Sequence, residues 1–143
     1  MIEITGQSAI AGQWFNPAGE SFQSFNPYTM TPMQQFSSCG LDEVERAAAA
    51  AAEAFQIYRQ LEGKAVGQFL DTIADEIEAL GDQLLEVADS ETALGLVRLT
   101  GERGRTCGQL RAFGELVKKG EWVRASIDTS LPDRQPLPKP DLR

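Results

Sequence analysis

Hydrophobic and polar positions alternate along this chain in two rhythms. Between Ser90 and Gly120, the residues Leu96, Leu99, Arg103, Thr106, Leu110, Phe113 and Val117 recur at steps of 3, 4, 3, 4, 3 and 4. This is the stripe that a long amphipathic helix turns toward a core. The spacing predicts one long helix near residues 95–119, a rod of roughly 35 Å. Gly101, Gly104, Gly108 and Gly114 lie inside it, and each costs about 1 kcal/mol relative to alanine in a helix interior. Gly101, Gly104 and Gly108 at spacings of 3 and 4 predict a groove into which another helix or a sheet edge presses. Arg103 within the apolar stripe must reach out along its own stem or find a carboxylate, and a paired structural arginine is the expectation.

Upstream, Val44, Ala48, Ala51, Phe55 and Tyr58 keep a helical period to about Gln60, opened by Ser38 or Gly40 as cap and by Asp42, Glu43 and Glu45. The alanine run 47–52 allows close approach of a second helix. Val66, Phe69, Leu70, Ile73, Ile77 and Leu80 carry the next helix, whose opposite face holds Asp71, Asp75, Glu76 and Glu78. Those four carboxylates read as a solvated face and not as a metal site. Gly81 breaks the period, and Asp82 is the expected cap of a short helix through Leu84, Leu85 and Ala88 to near Ser90.

The N-terminal part follows a strand rhythm. Residues 8–15 and 21–25 are short apolar and aromatic stretches flanking Asn16-Pro17-Ala18-Gly19-Glu20. They predict two antiparallel strands joined by that five-residue loop, with an edge strand over Met30–Phe36 interrupted by Pro32. After Gly120, residues 121–127 look like a strand, and Pro132, Pro136, Pro138 and Pro140 keep the last residues extended. The fold class is therefore α+β, mainly α: a hairpin arm over 1–37, a helical region of three to four helices over 41–120, and a strand and proline-rich tail over 121–143. All of 1–143 forms a single partial domain.

Composition narrows the function. The 143 residues contain 13 Lys and Arg against 21 Asp and Glu, a net charge of −8. Such a surface gains nothing from a nucleic-acid backbone or an anionic membrane. No run of eighteen apolar residues suggests a membrane span, and no basic stretch precedes Arg46 as a signal peptide would require, so the expected location is the cytoplasm. With no histidine, and with only Cys39 and Cys107 as thiols, neither a zinc site nor a histidine-activated nucleophile can be assembled. Both cysteines are expected to be small buried hydrophobes.

Gln13-Trp14, Phe25-Asn26-Pro27, Leu41-Asp42-Glu43-Val44, Phe69-Leu70 through Ile73-Ala74-Asp75, and Glu91-Thr92-Ala93-Leu94 together resemble the N-terminal part of aldehyde dehydrogenases. Leu99-Thr100-Gly101-Glu102-Arg103-Gly104-Arg105-Thr106 and Gly108-Gln109-Leu110-Arg111 are more specific. They resemble the branch that includes ketoglutarate-semialdehyde (2,5-dioxovalerate) dehydrogenases and NADP-dependent fatty aldehyde dehydrogenases. Ile127-Asp128, Pro132-Asp133-Arg134 and Pro140-Asp141-Leu142-Arg143 fit that branch, while Ala93 and Gly95 stand where it tends to have glycine and proline.

The resemblance implies NAD(P) as the cofactor of the full-length family, with the cofactor turn, the nucleophilic cysteine and the base lying beyond these residues. No catalytic, cofactor-binding or metal residue is assigned here, and the chain alone is expected to be inactive. Its implied role is a helical scaffold and oligomerisation segment, partnered by a second copy or by a missing C-terminal domain. The alternative is a free-standing helical dimerisation module derived from such an enzyme.

Overall fold

The structure is a computed structural model that describes residues 5–125 and 128–140. Two antiparallel hairpins open the chain. Strand β1 (Ser8–Ile10) pairs with β2 (Gln13–Phe15), and β3 (Ser21–Asn26) pairs with β4 (Thr31–Ser37). The expected pairing of 8–15 with 21–25 is therefore corrected: the first stretch folds on itself. Ala11 and Gly12 both take positive φ, 51° and 75°, as a two-residue hairpin turn requires. Alanine is uncommon at such a position, so the turn carries little signal. The second turn is tied by Asn26, whose side chain accepts hydrogen bonds from the backbone N–H groups of Tyr28 and Thr29 at 2.8 and 3.3 Å. Pro32 lies in β4 opposite Phe25, and the register slips between Gln23 and Phe25, where a proline removes a ladder donor.

Four helices follow: α1 (Leu41–Tyr58), α2 (Gly63–Ala79), α3 (Gly81–Thr92) and α4 (Leu96–Lys119). Gly40 caps α1, and the Glu43 carboxylate turns back to accept its N–H at 2.8 Å, the returning half of a capping box. Asp82 is not the cap of α3. That place falls to Leu80, in helical conformation, so α2 runs into α3 through the left-handed Gly81 with hardly a break.

The core is the antiparallel pairing of α2 with α4. Gly63 faces Val117, Gly67 faces Gly114, and Ala74 faces Cys107, whose thiol donates to the Ala74 carbonyl at 3.6 Å. Ala74 and Cys107 are 0% and 1% exposed. The inward line on α4 is Leu99, Arg103, Cys107, Leu110, Gly114 and Val117, with Cys107 and Gly114 buried and the others half-buried; of the expected stripe Leu96 is exposed and two further members are replaced. Thr106 and Phe113 are exposed, and their neighbours Cys107 and Gly114 take the seam, because α2 approaches too closely for a large side chain. The expected glycine groove is corrected too. A Cβ at Gly101, Gly104 or Gly108 meets nothing within 4 Å, whereas one at Gly67 or Gly114 meets the facing helix backbone.

Beyond α4, Gly120 takes a left-handed C-cap, Glu121–Val123 form a single 3-10 turn and Arg124 is again left-handed. Two reversals within five residues replace the expected strand at this point; Ser126 and Ile127 lie outside the described residues, as do residues 141–143 of the tail. Within the proline-rich stretch Leu131 and Lys139 exchange both backbone hydrogen bonds, at 3.0 and 3.1 Å. The Arg134 side chain closes this loop on the Leu137 carbonyl at 3.0 Å.

Candidate functional site

The carboxylates of α2 do not form a purely solvated face. Asp71 binds the Lys118 ammonium at 2.5 Å, and Lys118 also holds Glu115 at 2.9 Å. Arg111 grips Glu78 with both terminal nitrogens at 2.8 Å and reaches Asp75 at 2.7 Å. Hydrogen bonding to Arg111 holds the Glu78 carboxyl below the usual glutamate range, with a further contribution from the nearby Arg103 charge. The Asp71 hydrogen bond, followed by that of Glu115, raises the Lys118 ammonium. Two cations of α4 thus clamp three acids of α2 across the outside of the core, an arrangement that positions helices. No group of three or more metal-ligating side chains occurs among the described residues.

Arg103 has a different partner from the one expected. Its guanidinium donates to the Gly81 carbonyl at 2.7 Å, at the junction of α2 and α3. Cys107 is the buried small hydrophobe expected of it, but Cys39 is exposed, its thiol 3.6 Å from the Ser8 hydroxyl. It precedes Gly40 in the connection between β4 and α1.

One cluster escaped the sequence reading. Ser24 donates to Glu91 at 2.7 Å, and the Tyr28 hydroxyl meets Asp89 at 3.4 Å. Asp89 in turn accepts the Gly95 N–H at 2.8 Å. Two carboxylates near the end of α3 therefore fasten the second hairpin and the start of α4 together. The only available signal was the acid–x–acid spacing of Asp89 and Glu91, which on a helix end is commonplace.

Among the described residues no helix start follows a parallel strand. Pyrophosphate binding uses free N–H groups at a helix start that follows a parallel strand. Both hairpins here are antiparallel, and at α1 and α4 the backbone N–H of the capping glycine, Gly40 or Gly95, already serves a carboxylate.

The most extensive feature is apolar and open to solvent. No residue of α1 is buried, and Leu41, Val44, Phe55 and Tyr58 are 72, 55, 54 and 41% exposed. A groove of about 450 Å³ lies between the end of α1, the start of α2 and the end of α4, with Phe55, Tyr58, Val66, Val117 and Trp122 in its lining. Exposed apolar surface on this scale marks a place meant to be covered.

Comparison with known proteins agrees with this geometry. The chain is 46% identical to an alpha-ketoglutaric semialdehyde dehydrogenase of Acinetobacter baylyi over 100% of its own length and 27% of the relative's. It is 42% identical to alpha-ketoglutaric semialdehyde dehydrogenase 2 of Azospirillum brasilense, over 99% and 27%. In structure it is similar to betaine aldehyde dehydrogenase from Staphylococcus aureus in complex with NAD+, with a TM-score of 0.75 at 21% identity over 92% of this chain and 26% of that one. Succinate-semialdehyde dehydrogenase from Burkholderia pseudomallei gives 0.74 at 25% identity, over 90% and 26%. The architecture matches the N-terminal part of that fold, and the chain spans about a quarter of the length of these relatives. The aldehyde dehydrogenase family model matches residues 14–137, and the chain belongs to that family.

Proposed function

We propose that residues 1–143 are one partial domain of an NAD(P)-dependent, cytoplasmic aldehyde dehydrogenase that oxidises a semialdehyde. In this reading the chain is helical scaffold and oligomerisation segment, and the nucleophile, base and cofactor site are supplied by sequence outside it. The observation that carries it is α1: an 18-residue helix with an apolar stripe and no buried residue. Helices in proteins draw most of their stability from packing an amphipathic face, and the open stripe supports reading its cover as sequence outside this chain. The α2–α4 pair, clamped by Arg111 and Lys118, is the rigid part against which the missing elements would assemble.

Grafting tests this. The chain replaces the matching quarter of the Acinetobacter baylyi alpha-ketoglutaric semialdehyde dehydrogenase, and NAD(P)+ reduction with that semialdehyde is followed. The expected result is a soluble, active graft. A graft that folds to the parent's helicity and size but shows no activity overturns the scaffold reading.

A further inference from the structure

We draw no further inference here: the strongest candidate, the open apolar groove between the end of α1, the start of α2 and the end of α4, carries nothing beyond the scaffold reading because nothing in the structure shows what covers it.

Discussion

Gly67 and Gly114 face each other where α2 crosses α4. A Cβ on Gly67 would stand 2.7 Å from the Gly114 carbonyl oxygen, and one on Gly114 3.1 Å from that of Gly67. Backbone contact at this point sets the helix separation. Gly67→Ala is therefore expected to destabilise the chain by about 1–3 kcal/mol, the usual cost of overpacking. Gly101→Ala, in open space on the same helix as Gly114, is expected to stabilise by up to about 1 kcal/mol. Urea unfolding of both variants checks the contrast, since equal effects would mean that the crossing is loose.

The clamp of Arg111 on Glu78 predicts an acid-sensitive stability. The Glu78 carboxyl is held below its ordinary value in the folded chain. Its contribution is complete above the unfolded-state pKa and disappears as pH falls through the folded one. Glu78→Gln is expected to flatten that part of the acid limb of a stability profile while leaving the neutral-pH fold intact. Added salt should shrink the difference between the two proteins, because the pair is solvent-accessible. An identical acid limb in the two proteins would contradict the clamp.

The second hairpin gives the opposite sign. Desolvation, then the Asp89 charge and hydrogen bond, raise the Tyr28 hydroxyl above its ordinary value. Its contribution is complete below the unfolded tyrosine pKa and is lost as pH rises through the folded one. Ultraviolet titration should show one of the two tyrosines ionising late, and Tyr28→Phe should remove that component. Two tyrosines ionising together at the ordinary value would contradict the latch.

Thiol labelling separates the cysteines. Cys39 is exposed and Cys107 is 1% exposed, so a water-soluble disulfide reagent is expected to consume one thiol promptly and the second only on unfolding. Two promptly reactive thiols would show that the α2–α4 seam opens readily.

What the sequence made legible was local. The period of α2 and the presence of α4 followed from apolar spacing, and the resemblance to the aldehyde dehydrogenases from short motifs. What it hid was non-local. Cys107 and Gly114 look unremarkable beside Thr106 and Phe113, and only the proximity of Gly67, 47 residues from Gly114, makes a missing side chain the better fit. Arg103, expected to reach out along its own stem or find a carboxylate, donates to the Gly81 carbonyl at the α2–α3 junction, a backbone partner that no residue type announces. The first hairpin turned at Ala11-Gly12 because the paired strands enforce a backbone that alanine does not advertise. Of the candidate surface, the apolar stripe of α1 was visible from spacing. That the described chain leaves it uncovered was not, since periodicity indicates a face without naming its neighbour.

The central claim is that this chain is scaffold whose chemistry resides outside it. The most direct measurement mixes the purified chain with alpha-ketoglutaric semialdehyde and NAD+ or NADP+, and follows nicotinamide reduction by absorbance alongside nucleotide binding by calorimetry. The account predicts neither reduction above the uncatalysed rate nor saturable binding. Saturable nucleotide uptake together with aldehyde-dependent reduction would contradict it.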